Sequence, residues 1–169
     1  MDGQVLSWKA QTLGELLERQ ARERGSAEAL VTRSGRFSFQ QLFDLAKDAA
    51  GGMQAMGIRR GDHVGILMGN DEKWLSLFYG AALIGAVTVP VNTRLKTDEI
   101  RFCIEQADCK ALFYVERFLN IDFGPMVDGL KLKKVEVSKG VPAGTFTPVE
   151  VKPDDLLLIQ FTSGTTAHP

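Results

Sequence analysis

Three short apolar runs, separated by two stretches with helical periodicity, constrain the fold of this chain more than any other feature. The runs are residues 64–68, 87–91 and 111–115, and none of them alternates between apolar and polar residues as a strand with one wet face would. Strands that are apolar on both faces are typical of parallel sheets covered by helices on both sides. We therefore predict an α/β fold with a mostly parallel sheet and helices on both faces.

Capping patterns predict where the helices of this fold begin. Thr12 and Ser38 each stand three residues before Glu or Gln, the spacing of a capping box, and apolar residues then recur with a helical period as far as Gly25 and Gly57. Asn70 and Thr97 are the predicted caps of the next two helices. Residues 29–39, with Ser-Gly in the middle, predict a β-hairpin between the first two helices. Residues 132–137 are a weaker strand candidate.

The end of the chain combines an apolar run with a loop of small polar residues. Residues 156–161 are nearly all apolar, which predicts one more strand buried on both faces. The next five residues are hydroxyl-bearing or glycine, namely Thr162, Ser163, Gly164, Thr165 and Thr166. Their backbone N–H groups, hydroxyls and one unrestricted glycine can surround a polyanion such as a triphosphate. A surface turn is the alternative interpretation. The loop is not a Walker P-loop, because no Gly-Lys-Ser/Thr follows it.

This loop resembles a known phosphate-binding motif. Residues 161–169, Phe-Thr-Ser-Gly-Thr-Thr-Ala-His-Pro, are similar to the Ser/Thr/Gly-rich loop of the AMP-forming acyl-CoA synthetases of the adenylate-forming superfamily. Ala167 stands where that family usually has Gly, and the sequence stops before the family's Lys. Blocks at residues 61–70, 80–94 and 97–100 also resemble the family in order and spacing. The resemblance implies the first subdomain of the synthetase N-terminal domain.

The resemblance also implies an activity. Such enzymes are ATP-dependent carboxylate–CoA ligases, which form an acyl-adenylate and then an acyl-CoA thioester from ATP, Mg²⁺, coenzyme A and a carboxylic acid. A fatty acid is favoured as the acid, although aryl and peptide-synthetase substrates stay open. By motif match, Thr162, Ser163, Gly164, Thr165 and Thr166 hold phosphate. We expect residues 1–169 to be a partial AMP-binding domain, truncated at this loop, without catalytic or metal-binding residues and inactive alone. The alternative is a free-standing nucleotide-binding or interaction module without ligase activity.

Composition narrows the class of protein further. The 20 basic and 21 acidic residues nearly balance, which argues against a nucleic-acid partner. The first residues have neither a basic nor an apolar signal region, so a cytoplasmic location is expected. If the predicted last strand normally lies beside further structure, its exposure would favour a homo-oligomer.

An uncharged stretch at residues 74–91 just reaches the length of a membrane span. Gly85 and the β-rich residues after it favour a buried helix that leads into a buried strand. Cys103 and Cys109 form no C-x-x-C pair and are interpreted as reduced, buried thiols without a metal.

Four other polar residues carry weaker predictions. Asn92 and Arg94 follow a predicted strand, where they either face a ligand crevice or, as we favour, fix the loop. His63 precedes a strand and is predicted at the surface or a sheet edge. His168 lies in the phosphate loop and receives no chemical role.

Overall fold

A four-stranded parallel sheet organises residues 11–162, which are the residues that the computed structural model describes. The strands are β1 (Glu28–Val31), β2 (Arg36–Ser38), β3 (His63–Leu67), β4 (Val87–Pro90), β5 (Cys109–Tyr114), β6 (Arg117–Phe118), β7 (Ile121–Asp122) and β8 (Lys133–Glu136). The helices are α1 (Leu13–Arg24), α2 (Phe39–Ala55), α3 (Glu72–Leu83), α4 (Thr97–Gln106) and α5 (Gly124–Val127), and Val137–Lys139 form a 3₁₀ turn.

The parallel sheet has the strand order β4-β3-β5-β8, with helices on both faces as predicted. Alternate residues of β3 point to opposite faces. Val64 and Ile66 join the core formed with α2 and α3, whereas Leu67 joins the core formed with α4 and α5. Helix α1 packs outside α2 and α3. The weak candidate at residues 132–137 is confirmed as β8, and the predicted hairpin as the antiparallel pair β1 and β2.

Two of the four predicted helix caps are confirmed. The Oγ1 atom of Thr12 accepts a hydrogen bond from the backbone N–H of Glu15 at 3.1 Å, and the Glu15 carboxylate accepts one from the N–H of Thr12 at 2.9 Å. Ser38 and Gln41 make the same reciprocal pair. These caps could be predicted because both partners lie within four residues of each other.

The other two caps were predicted one residue out of place. Asp71, not Asn70, caps α3, because its backbone is still extended and its Oδ1 accepts the N–H of Trp74 at 2.8 Å. Lys96, not Thr97, is the residue before α4. The Glu99 carboxylate accepts the N–H of Lys96 at 2.7 Å, which places Glu99 three residues into the helix and makes Thr97 its first residue.

The uncharged stretch at residues 74–91 contains most of α3 followed by β4, which confirms the favoured interpretation of a helix that leads into a strand. Within residues 11–162, no helix is both long and apolar enough to cross a bilayer.

Two adjacent glycines of α2 provide a groove for a distant part of the chain. A side chain at Gly51 would run into the backbone carbonyl of Gly144, and one at Gly52 into that of Pro142. The groove holds the start of residues 141–162, here called the connecting segment, which has no helix or named strand of its own.

Candidate nucleotide site

The carboxyl ends of β3 and β5 form a crevice of the kind that binds ligands in parallel sheets. The chain leaves β3 toward β4 on one side and later returns to β5 on the other, so the strand order reverses between β3 and β5. In open α/β sheets, ligands bind outside the carboxyl ends of the strands at such a reversal. An open cleft of about 1230 Å³ lies at this place.

The cleft is mainly lined by apolar and aromatic side chains. Trp74 and Phe78 come from α3, and Phe118 comes from the short strand after β5. The ring of Phe118 lies directly against Gly69, where any side chain would collide with it. Asn70 and Gln160 contribute polar groups to the lining. Phe118 and Gly69 were not predicted from the sequence, since their contact joins two segments that are far apart in the chain.

Within residues 11–162, the predicted last strand is an edge segment with one covered face and not a strand buried on both faces. Its exposure is what we expected of this chain if the strand normally lies beside further structure. Among the described residues, its only ladder contact is a parallel bridge between Leu158 and Thr88 of β4. Leu156 is 56% exposed and Leu158 is 36% exposed, whereas Ile159 and Phe161 pack against the core on the α4 side. The alternate side chains that point away from this core, those of Leu156, Leu158 and Gln160, remain in contact with solvent.

This edge segment places Thr162 at the carboxyl edge of the sheet. The segment runs parallel to β4, so its end lies at the same edge as the ends of β3, β4 and β5. Leu158 and Gln160 also line the cleft, and Thr162 itself is exposed. The other predicted phosphate-binding residues, Ser163, Gly164, Thr165 and Thr166, lie outside the described residues, as does His168.

Three polar contacts hold the connecting segment on the rest of the domain. The side-chain amide of Gln54 donates to the carbonyl of Thr147 at 2.7 Å and accepts the N–H of Thr147 at 2.8 Å. Arg60 donates from Nε and Nη2 to the two carboxylate oxygens of Asp155, at 2.8 and 2.6 Å. The backbone N–H of Thr88 donates to the carbonyl of Leu157 at 3.0 Å, and the carbonyl of Thr88 accepts the N–H of Ile159 at 2.9 Å.

The ion pair of Arg60 and Asp155 is electrostatically stabilised on both sides. Hydrogen bonds from Arg60, and then from the backbone N–H of Lys152, lower the pKa of the Asp155 carboxyl from its ordinary value. The same pairing raises the pKa of Arg60. Both groups are therefore charged at neutral pH, and the pair is a charge-assisted, two-point contact.

The remaining polar candidates take structural positions. The Oδ1 atom of Asn92 accepts the backbone N–H of Arg94 at 3.0 Å, which agrees with the favoured role of fixing the loop. His63 was predicted at the surface or a sheet edge, and this is wrong. It begins the interior strand β3, is half-buried, and its Nδ1 makes a hydrogen bond with the carbonyl of Ala107.

Both cysteines are buried, as predicted. Burial raises the pKa of the Cys109 thiol to about 12 and also raises that of Cys103. A neutral thiol is a poor nucleophile and a poor metal ligand, so neither residue has the character of a reactive cysteine.

Comparison with known proteins identifies the family. A family model described as AMP-binding enzyme matches residues 17–169. The chain is 32% identical, over 93% of its length, to the long-chain-fatty-acid–CoA ligase FadD13 of Mycobacterium tuberculosis. It is 31% identical, over 94% of its length, to the acyl-CoA ligase SID4 of Ajellomyces capsulatus. The chain spans about a third of the length of these two curated relatives, 33% and 32% respectively.

Solved structures agree with this assignment. The inhibitor-bound N-terminal domain of FACL13 from Mycobacterium tuberculosis superposes with a TM-score of 0.83 at 31% identity. The match covers 94% of this chain and 43% of that one.

Proposed function

We propose that this chain, which belongs to the family of AMP-binding enzymes, is the N-terminal part of an ATP-dependent carboxylate–CoA ligase. Two relatives at more than 30% identity are acyl-CoA ligases, and each is about three times as long as the matched region. Residues 1–169 would then be the start of the AMP-binding domain, up to and including the phosphate loop. We favour a fatty acid as the carboxylic acid, because FadD13 is a long-chain-fatty-acid ligase.

The proposed reaction has two steps. A carboxylate oxygen attacks the α-phosphorus of ATP, the bond to the β-phosphate oxygen breaks, and acyl-adenylate and pyrophosphate form. The sulfur of CoA, after loss of its proton, then attacks the acyl carbon and displaces AMP to leave the thioester. Charge on the triphosphate must be held in place only during the first step, so fixed N–H and O–H donors would lower its barrier.

One observation carries the assignment of this role to Thr162, Ser163, Gly164, Thr165 and Thr166. The edge segment leads to Thr162 at the carboxyl edge of the sheet, beside the cleft at the strand reversal, and the other four residues follow Thr162 directly in the sequence. Mg²⁺ is proposed as the counterion of ATP, and no residue of this chain is assigned as its ligand. The cytoplasmic location stays a prediction.

The test compares the two steps in the full-length ligase. Thr165→Ala removes a hydroxyl donor, and Gly164→Val adds a branched side chain to the loop. A lost hydrogen bond to a charged phosphate is worth about 1.5–3 kcal/mol, which is roughly a 10- to 150-fold effect. We expect ATP–pyrophosphate exchange to fall by this factor, while thioester formation from preformed acyl-adenylate changes little. Equal losses in both steps, or no loss in either, would show that the loop is structural.

A second measurement tests the description of this chain as part of an enzyme. Purified residues 1–169 should form no thioester from ATP, CoA and a fatty acid, since the proposed enzyme needs structure beyond the first third of its length. Thioester formation by this chain alone would overturn the description of it as a partial enzyme.

A further inference from the structure

The apolar sequence of the edge segment does not by itself determine how the segment aligns with β4. Residues 156–159 are Leu, Leu, Leu and Ile, so either set of alternate side chains could face the core. A shift of one residue exchanges the two faces of a strand and moves its end by about 3.3 Å. Such a shift would move Thr162, and the loop after it, along the edge of the sheet.

The backbone contacts provide little resistance to this shift. In the part of the chain that the structure describes, two backbone hydrogen bonds, both to Thr88, join the segment to β4. The ring of Phe161 contacts Phe102 with ring centroids 6.0 Å apart, but Phe102 is itself 40% exposed. Something more specific must therefore fix the alignment.

Two polar contacts in the part of the connecting segment that precedes the edge segment provide that specificity. Asp155 lies two residues before Leu157 and receives two hydrogen bonds from Arg60 and a third from the N–H of Lys152. Gln54 holds both backbone groups of Thr147. The guanidinium of Arg60 and the side-chain amide of Gln54 are planar, and each makes two hydrogen bonds to the connecting segment. A shift of the segment by one residue would break both bonds, so each group fits one alignment.

Arg60 is itself held in position. Its side chain lies over Gly85, whose φ is +67°, and the N–H of Gly61 donates to the carbonyl of Gly85 at 2.8 Å. The loops that contain Arg60 and Gly85 come directly before β3 and β4. The guanidinium therefore serves as a fixed reference point on the sheet itself.

We propose that Arg60, with support from Gln54, is a positioning residue that sets the alignment of the edge segment with β4 and thereby the place of the phosphate loop. The proposal rests on the proposed phosphate-binding role of Thr162–Thr166. Arg60 does not contact substrate in it and acts through Asp155.

The first test measures alignment directly in the 169-residue chain by NMR amide exchange. Arg60→Asp and Asp155→Arg should each speed exchange of the Ile159 amide by about fivefold or more, because that amide bonds to Thr88 only in the observed alignment. Amides within β3 and β5 should not change. The double variant, with the charges exchanged, should restore part of the protection, because the ion pair can form again while the hydrogen bond from the N–H of Lys152 is lost. Arg36→Asp makes the same charge change in a more exposed, one-point ion pair with Glu28, away from the connecting segment, and serves as the control.

Either of two results in this experiment would overturn the proposal. One is unchanged Ile159 protection in both single variants. The other is a double variant that exchanges as fast as the singles.

The second test measures position of the loop in the full-length ligase. Arg60→Asp should raise the KM for ATP about tenfold in pyrophosphate exchange, with a smaller change in kcat and no change in thioester formation from preformed acyl-adenylate. The exchanged pair should recover most of the affinity. If Ile159 exchange rises while the KM for ATP stays unchanged, Arg60 is only structural and the proposal is wrong. The effect of Thr165→Ala in the same assay tests the role of the loop separately.

Discussion

Two apolar runs of this chain look alike in sequence but end in opposite surroundings. Residues 64–68 form most of β3, and all five are buried, with Val64, Ile66 and Leu67 fully inaccessible. Residues 156–161 alternate between half-buried and exposed. The difference lies in their neighbours: β3 has a strand on each side and helices over both faces, whereas the edge segment pairs with β4 on one side and packs one face against the α4 core. An apolar run thus predicts extended structure, and its position in the sheet decides its burial.

The two regions are also held by different forces. The central strand is fixed by packing, which is specific because side chains on both faces fill the core. The edge segment depends on Arg60, Gln54 and Thr88, whose hydrogen bonds define its alignment. Substitutions that truncate apolar side chains should therefore damage the first region much more than the second.

The largest expected effect comes from a pair of truncations. Phe113→Ala in β5 removes a fully buried ring from the same core as β3 and should lower the free energy of unfolding by about 3–5 kcal/mol. Leu158→Ala, at a side chain that is 36% exposed, should cost less than about 1 kcal/mol. Urea unfolding followed by circular dichroism measures both. Similar losses for the two variants would contradict the contrast.

A smaller effect should appear at high pH. Burial raises the pKa of Cys109 to about 12 from an ordinary value of 9.0, so the unfolded state loses this proton first. The contribution of the Cys109 thiol to the free energy of unfolding is fully present below pH 9.0. It should fall as the pH rises from there toward 12, by up to about 1.4 kcal/mol per pH unit. Urea unfolding at several pH values gives the slope. Cys109→Ala should flatten it, and an unchanged slope would assign the effect to other groups.

Substitutions in the edge segment should change stability least, and there the oligomeric state is the more sensitive quantity to measure. The exposed Leu156 and Leu158 should promote dimers or larger species at high concentration. Leu156→Lys with Leu158→Lys should shift light scattering toward the monomer and alter the free energy of unfolding by only about 0.5 kcal/mol. Val31→Lys, at a position that is 54% exposed on the hairpin, is the control. A wild-type chain that stays monomeric at high concentration would contradict the proposed homo-oligomer.

Much of the fold could be predicted because its determinants are local. The capping boxes at Thr12 and Ser38 need only four residues each, and the helical periods behind them predicted α1 and α2. Buried runs separated by helices predicted the parallel sheet. The misplaced caps at Asn70 and Thr97 are also local errors. Several adjacent residues could cap each helix, and the cap is the one whose backbone is still extended.

By itself, the sequence determined the order and type of the main elements, the parallel sheet between two helical layers, and the hydroxyl-rich loop at the end of the chain. The tertiary structure alone decided that β3 lies inside the sheet with His63 at its start, and that residues 156–161 lie at its edge. It also decided that Gly51 meets Gly144 and that Arg60 meets Asp155, which is 95 residues away. Sequence periodicity depends on residues within a single helix or strand, so it predicts those elements. Contacts between distant segments form only when the sheet brings the segments together, so no local pattern predicts them.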